Sequence, residues 1–177
     1  KITFWKDAFI RFRKNKGAVV GMIMFASIVL GMVAAPFVSP YYKEVAMFEE
    51  QAYAAVESGD TKALSEIPLN IDMSNTNQEE AIDKAVADAE DRISMGSYDK
   101  MAYSLLPPKV PGLAKLGIMD GTQDGVDVYA KKEVPVDYYF PFGTDNLGRD
   151  NFVRVFRGAS LSIMIGLIAA LLDVVIG

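Results

Sequence analysis

The sequence predicts an α-helical, polytopic membrane protein, present as a fragment, with a small α+β extracytoplasmic insertion between its first two transmembrane helices. Two predominantly apolar runs, residues 17–42 and 158–177, support this fold class. A helix needs roughly 20 apolar residues to cross about 30 Å of hydrocarbon, and both runs are long enough. The residues between them have the acidic composition of a soluble segment. Because the sequence begins at Lys1 and stops within an apolar run, we expect it to be a fragment.

Residues 1–16 are predicted to form a cytoplasmic amphipathic helix at the membrane surface. Phe4, Trp5 and Phe9 recur at helical spacing, and the basic residues Lys6, Arg11 and Arg13 lie elsewhere around the helix. A short basic helix with an aromatic face is attracted to anionic lipid and inserts that face into the interface. Packing of the same face on a partner subunit is the alternative.

The first span, residues 17–42, is predicted to begin on the cytoplasmic side. Six basic residues precede it and are opposed only by Asp7. Basic residues that flank a span are retained in the cytoplasm, so the N-terminus should lie inside. A cleaved signal peptide is the alternative, but its apolar region would be about 7–15 residues long, which is shorter than this run.

The extracytoplasmic insertion, residues 43–140, begins with helical patterns. We expect helices over 43–58 and 60–66, ended by Gly59 and Pro68. A third helix should open with a capping box formed by Thr76 and Glu79. Its apolar residues recur every three to four positions, which predicts one buried face. These residues are Ala81, Ile82, Ala85, Val86, Ala89 and Ile93.

The second half of the insertion has weaker, β-like patterns. Residues 105–112 contain three prolines and are expected to form a stiff extended connector. Residues 125–130 alternate apolar and polar side chains, and residues 134–140 are rich in valine and aromatic residues, so both segments are predicted strands. The insertion is therefore expected to be α+β.

The sequence FGTDNLGRD at residues 142–150 stands out at the start of the second apolar run. With its surroundings, residues 141–157, it is expected to form an interfacial elbow helix leading into the second span, residues 158–177. Thr144 or Asp145 could cap a helix whose first turn includes Leu147. Asp150 and Arg154 are four residues apart and could pair on that helix.

Two functions of this motif stay open. Its role could be limited to orienting the second span, aided by an apolar stripe of Phe152, Val155, Phe156 and Ala159. Alternatively, it could form part of an outer gate or a docking surface for a partner. The candidate residues for the second function are Gly143, Thr144, Asp145, Gly148, Arg149 and Asp150.

Asp173 is the candidate intramembrane polar site. It would lie roughly 20 Å deep if the span begins near residue 158. Acids within membranes usually face a bundle interior or a water-filled path. If the span begins earlier, Asp173 would instead lie near the inner surface.

The motif resembles the FGTDxLGRD signature of the C-type permease subunits of bacterial oligopeptide, dipeptide and nickel ABC importers. Residues 4–21 and 166–177 support the likeness, and residues 106–118 resemble the longer-looped permeases of Gram-positive bacteria. The resemblance implies a multi-pass protein of the bacterial cell membrane that forms half of a peptide translocation pore. It implies four partners besides the lipid: a B-type permease subunit, two cytoplasmic ATPase subunits and an extracytoplasmic peptide-binding protein.

Enzymatic function is the least favoured class. The sequence contains no histidine and no cysteine, which excludes imidazole catalysis, disulfides and cysteine metal sites. We therefore expect no catalytic residue, no metal, no cofactor and no nucleic-acid partner. A transmembrane sensor or chemoreceptor with an extracytoplasmic ligand domain is the alternative function, because two spans around an outer domain are also a receptor layout. The role of residues 46–103 and the identity of the substrate are not predicted.

Overall fold

A computed structural model describes residues 4–176 of the chain. Two long apolar helices lie side by side, and a mostly helical body joins them at one end. The short basic helix α1, Phe4–Lys14, leads into the first long helix α2, Lys16–Val38. The second long helix, α8, is Asn151–Ile176. Because the same body joins the end of α2 to the beginning of α8, the two long helices run antiparallel.

The joining body contains six helical segments and one small hairpin. Three helices make up its first half: α3 Tyr41–Ser58, α4 Thr61–Glu66 and α5 Gln78–Ser94. A 3₁₀ turn, Met101–Tyr103, comes next. The remaining elements are α6 Pro111–Ala114, β1 Thr122–Gln123, β2 Val126–Asp127 and α7 Val128–Lys131.

The two long helices have the composition of membrane spans. Each contains an 18-residue window with a mean hydropathy of 2.4 and few charges. Most of their large apolar side chains stay exposed, among them Leu30, Ile165 and Val175. Such surfaces need an apolar medium, and a lipid bilayer or neighbouring transmembrane helices would provide it.

Asn15 separates α1 from α2. Its side chain accepts a hydrogen bond from the Ala18 amide at 3.3 Å and caps the first span. Phe9 is 62% exposed on α1. The side chains of Phe4 and Trp5, which belong to the predicted aromatic face, lie outside the described residues, as do Lys1 and Gly177.

The core of the insertion forms between α3 and α5. All six apolar positions predicted for the third helix are buried on α5, which confirms the predicted face. Four of them, Ile82, Val86, Ala89 and Ile93, belong to one core cluster with Val45, Ala52 and Leu64 and with a group of aromatic residues. These aromatic residues are Tyr41, Tyr103, Tyr129, Tyr138 and Phe140.

Predicted helix boundaries agree well with the structure, but one predicted cap is wrong. The first two helices end as expected, with Gly59 in the left-handed conformation at φ 71°. Asn77, rather than Thr76, caps α5, and its side-chain oxygen accepts from the Glu80 amide at 3.4 Å. Asparagine and threonine are both good capping residues, so the sequence pattern alone fixed the cap only to within one residue.

The predicted strands are largely wrong. Strand pairing is confined, among residues 4–176, to the two-residue strands β1 and β2 and two isolated bridges. Asp124 and Gly125 have positive φ angles of 52° and 78° and make the tight turn between these strands. The predicted strand over 125–130 becomes helix α7 after Asp127, whose side chain caps that helix by accepting from the Ala130 amide. Residues 134–140 contain no strand, because their aromatic side chains serve the helical core.

The predicted extended connector is also shorter than expected. Residues 105–110 are irregular, but Pro111 begins the short helix α6. Proline is well tolerated at the first position of a helix, because its missing N–H would have no partner there. The insertion is therefore mainly helical, and its β component is one small hairpin.

Candidate functional site at the junction of the insertion and the spans

The FGTDNLGRD motif forms a tight loop at the point where the insertion meets α8. Thr144 and Asp150 pair as an isolated antiparallel bridge, and the Asp145 amide donates to the Arg149 carbonyl at 3.1 Å. Gly148 closes the turn by donating to the Asp145 carbonyl at 3.0 Å. The motif is therefore a small hairpin rather than the first turn of a helix.

Asp145 is the centre of this loop. Its Oδ1 accepts from the Leu147 and Arg149 amides, each at 2.9 Å. Its Oδ2 accepts from Arg149 Nε and from Arg154 Nη1, each at 2.8 Å. Burial alone would raise the pKa of Asp145, but the hydrogen bonds from Arg149 and the backbone outweigh burial and hold the pKa below its usual value.

These contacts correct the predicted pairing of Arg154. Its guanidinium pairs with Asp145 instead of Asp150, although Asp150 is four residues away on the same chain segment. Asp150 lies before the helix and is turned into the protein, where it is only 3% exposed. The carboxylate of Asp145 therefore holds both arginines, one within the loop and one on α8.

Asp150 caps α8, a role that the sequence analysis assigned to Thr144 or Asp145. Its Oδ1 accepts from the Phe152 amide at 2.9 Å. Burial raises the pKa of Asp150, although bonds from the first helical amides act in the opposite direction. Ser39 lies beside this carboxylate, but among the described residues its buried hydroxyl has no hydrogen-bond partner of good geometry.

Thr144 fastens the loop to the insertion. Its hydroxyl donates to the Tyr103 carbonyl at 2.5 Å and accepts from the Leu106 amide at 2.8 Å. The Thr144 amide also donates to the Leu106 carbonyl at 3.0 Å. These bonds join the motif to the irregular chain that follows the 3₁₀ turn.

Both glycines of the motif are required by close backbone contacts. Gly143 and Gly148 have φ angles of 66° and 79°. A Cβ atom at Gly143 would overlap the Leu106 carbonyl, and one at Gly148 would overlap the Lys100 carbonyl. Any side chain at these two positions would therefore separate the loop from the insertion.

Sequence analysis missed three residues that complete the junction: Tyr41, Glu44 and Lys100. The Tyr41 hydroxyl donates to the Gly148 carbonyl, and the Lys100 amide donates to the Leu147 carbonyl at 3.1 Å. Lys100 also forms an ion pair with Glu44, whose side chain is only 4% exposed. The helical spacing of Tyr41, Glu44 and Val45 gives a weak signal that they share a buried face, but nothing in the sequence links them to a loop 100 residues away.

The two spans contact each other near their insertion ends. The Phe156 ring lies against Gly31, where a Cβ atom would overlap it. Phe142, Phe152 and Phe156 form a row of neighbouring rings, with centroids 5.1 and 4.8 Å apart. The predicted apolar stripe needs one correction, because Val153 is the fully buried residue of this turn and Val155 is 55% exposed.

Asp173 lies near the other end of the paired helices. A rise of 1.5 Å per residue puts Asp173 about 26 Å from Phe156 along α8 and Lys16 about 22 Å from Gly31 along α2. Since Phe156 and Gly31 are level with each other, Asp173 lies close to the level of Lys16. Its side chain is exposed on the isolated chain.

The charged side chains of the loop find their partners within the chain. The charges of Asp145, Arg149 and Arg154 are paired with one another, and Asp150 is bonded to backbone amides. Within residues 4–176, no group of three or more acidic side chains is arranged to hold a metal ion. The charged groups of the loop are therefore directed at one another and at the backbone where α8 begins.

Comparison with known proteins gives consistent relatives. Residues 3–55 match the family described as the N-terminal transmembrane domain of oligopeptide transport permease C. The chain is 30% identical over 176 residues to the oligopeptide transport system permease protein OppC of Bacillus subtilis, covering 99% of this chain and 31% of that protein. It is 28% identical over 180 residues to the dipeptide transport system permease protein DppC of Lactococcus lactis subsp. cremoris, covering 99% of this chain and 38% of that protein.

A third relative matches a shorter part of the chain at higher sequence identity. Over 36 residues, which are 20% of this chain and 11% of the relative, identity to the dipeptide transport system permease protein DppC of Bacillus subtilis reaches 56%. No solved structure matches the chain. The chain thus spans about a third of the length of the two relatives that cover nearly all of it.

Proposed function

Because this chain is related over nearly its whole length to the C-type permeases of oligopeptide and dipeptide transport, we propose that it is part of the permease subunit of a peptide importer. The observation that carries the proposal is the similarity over 99% of the chain to two peptide transport permeases. The two exposed apolar helices support it, since they need membrane surroundings. In this function the chain contributes the first two spans and the outer insertion of one half of a translocation pore.

The proposed orientation places α1 in the cytoplasm and the insertion outside. The basic residues of α1 and Lys16 support this orientation, because flanking basic residues are retained inside. The insertion joins the opposite ends of both spans and carries the acidic faces of α3 and α5. The subunit is then a multi-pass protein of the bacterial cell membrane.

The proposed partners follow from the same function. They are a B-type permease subunit, two cytoplasmic ATPase subunits and an extracytoplasmic peptide-binding protein. ATP hydrolysis would occur on the ATPases, and this chain would have no catalytic residue and no cofactor. The insertion is the part of this chain that an outer binding protein could reach.

We propose that the FGTDNLGRD loop orients the second span rather than binding a partner through its charges. The internal pairing of Asp145 with Arg149 and Arg154 supports this role, because these charges are already satisfied within the chain. The burial of Thr144 and Asp150 supports it further. A contribution to the outer gate would then come from the position of α8 and not from an exposed charged patch.

Affinity purification of the full-length subunit from its native membrane tests the proposed function. We expect a second permease, two ATPases and a peptide-binding protein to co-purify, and uptake of labelled peptides to be lost when the gene is deleted. Recovery of a kinase or a receptor array, with peptide uptake unchanged, would contradict the importer and favour a sensor.

A separate test concerns the insertion. We expect the peptide-binding protein to dock on it, so removing the exposed acidic side chains of α5 in the assembled complex should weaken that association. Unchanged affinity and unchanged uptake would exclude a docking role for this surface.

A further inference from the structure

Tyr41 lies just after α2 and contacts the loop that precedes α8. It is the first residue of α3 and is 1% exposed. Its ring packs on Tyr98 and Phe140, with centroids 5.0 and 5.3 Å away, and its hydroxyl donates to the Gly148 carbonyl. One side chain therefore belongs both to the insertion core and to the motif loop.

Lys100 makes a second connection of the same kind. Its backbone amide donates to the Leu147 carbonyl, and its own carbonyl occupies the space beside Gly148. Its ammonium group pairs with Glu44 on α3 and lies 4.2 Å from the centroid of the Tyr103 ring. The loop is thus fixed to α3 through Lys100 as well as through Tyr41.

The remaining contacts at the junction join the insertion closely to the ends of both spans. Only Ser39 and Pro40 separate α2 from α3, and both are buried. On the other side, Gly96 at the end of α5 lies against Arg154, where an added Cβ atom would be 2.7 Å from the Arg154 side chain. The insertion therefore touches the ends of both spans directly.

We propose that Tyr41 and Lys100 are positioning residues that couple the insertion to the second span. The proposal rests on the importer function above and deepens it, since it states how contact with an outer binding protein would reach the pathway. Binding at the insertion would move α8 as part of one body with α3. Without the Tyr41 hydroxyl and the Lys100 ammonium group, the motif loop would keep its internal bonds and its Thr144 bonds but would be held less firmly against α3.

The sharpest variant is Tyr41→Phe, because it removes one hydroxyl and keeps the buried ring. The Gly148 carbonyl then loses its partner, while the packing on Tyr98 and Phe140 remains. Tyr42→Phe is the matched control. The Tyr42 hydroxyl donates to the Glu90 carbonyl at 3.4 Å, so this control removes a tyrosine hydroxyl whose hydrogen bond lies within the insertion.

The test measures the distance between the insertion and the second span in the full-length protein. Spin labels are attached to cysteines at Ala87 on α5 and Leu161 on α8, both of which are exposed. We expect one narrow distance distribution in the parent and in Tyr42→Phe, and loss of that single narrow distribution in Tyr41→Phe. A Tyr41→Phe distribution as narrow as the parent would overturn the proposal, as would equal broadening in both variants.

Peptide uptake by the assembled complex is measured in parallel. We expect Tyr41→Phe to lower uptake while the amount of subunit in the membrane and its partners stay unchanged. Normal uptake despite a broadened distance distribution would also overturn the coupling role. If the parent itself takes up no peptide, the importer function fails, whereas the distance measurement still reports on the junction.

Discussion

The ring of Phe156 lies on Gly31, so the two spans meet where one of them has no side chain. Replacing Gly31 by alanine would force the ring away and separate the helices near the insertion. We expect Gly31→Ala to destabilise the purified full-length subunit by about 1–3 kcal/mol, as overpacking does in other tightly packed sites. Thermal unfolding in detergent measures the loss.

Gly21→Ala is the control for this change, because a Cβ atom at Gly21 meets nothing within 4 Å. It should leave the unfolding temperature unchanged or slightly raised, because alanine favours a helix over glycine. Combining Gly31→Ala with Phe156→Leu should restore part of the loss, since the smaller side chain makes room. Equal effects of the two glycine variants would show that the contact between Gly31 and Phe156 does not hold the spans together.

Asp145→Asn should loosen the motif loop. The amide keeps acceptor capacity for the backbone bonds but loses the charge that holds Arg149 and Arg154, which should cost about 1.5–3 kcal/mol. Asp137→Asn should have almost no effect, because its pair with Lys43 is mostly exposed, at 62% and 65%. Chemical unfolding of the two variants compares them directly.

The pH dependence of the free energy of unfolding is a second way to test the role of Asp145. Its pKa is depressed in the folded protein, so the stabilisation is present above its ordinary pKa of 3.8 and is lost as the pH falls through the lower folded pKa. Acid should therefore destabilise the parent through this group but not the Asp145→Asn variant. An identical acid response in both would contradict the assignment.

The stabilisation that Asp150 provides should depend on pH in the opposite direction. Burial raises its pKa, so its contribution to stability is complete below the ordinary value of 3.8 and declines as the pH rises through the folded pKa. Asp150→Asn keeps a capping acceptor without the buried charge, and we expect it to be at least as stable as the parent at pH 7. Asp150→Ala loses the cap and should cost about 0.5–2 kcal/mol.

Lys100 and Glu44 should behave as a coupled pair. Lys100→Met alone leaves the buried carboxylate of Glu44 without its cation, and we expect a loss of about 3 kcal/mol. The double variant Lys100→Met with Glu44→Gln should recover most of that loss, because neither charge remains buried. Additive effects in a double-mutant cycle would show that the two side chains act independently.

Asp173 is expected to be reachable from the cytoplasmic side, since it is nearly level with Lys16. A cysteine at position 173, in a full-length protein without other cysteines, should react with a membrane-impermeant thiol reagent in inverted vesicles. A cysteine at Ile165, in the middle of α8, should not react and serves as the control for a position deep in the membrane. Absence of labelling at position 173 would favour the deeper interpretation, with this side chain facing the bundle interior.

Sequence patterns were sufficient for the long helices and for the buried face of α5, because each depends on local periodicity within one segment. The strand predicted over 125–130 is confined to Val126–Asp127, and the strand predicted over 134–140 was wrong, for a non-local reason. Tyr129, Val134 and Phe140 are β-prone, but their side chains are used by a core that α3 and α5 create. β propensity alone could not show that these side chains would be buried in a helical core.

The motif illustrates the same limit at the candidate site. Its residues were identified from the sequence, whereas the partners of Asp145 and Asp150 were not. Spacing predicted an Asp150–Arg154 pair on one helix, but α8 begins only at Asn151, so Asp150 lies before the helix and turns inward. Tyr41 and Lys100 reach the loop only through tertiary folding, and a single sequence contains no sign of that contact.

The short link between α2 and α3 has a practical consequence. With only Ser39 and Pro40 between the helices, the insertion is joined to the first span without a flexible linker. An antibody fragment that binds the exposed face of α5 would therefore keep a fixed orientation relative to the bilayer. It would serve as a fiducial mark for imaging the full-length protein, and a change in its tilt would report a rotation of the two long helices.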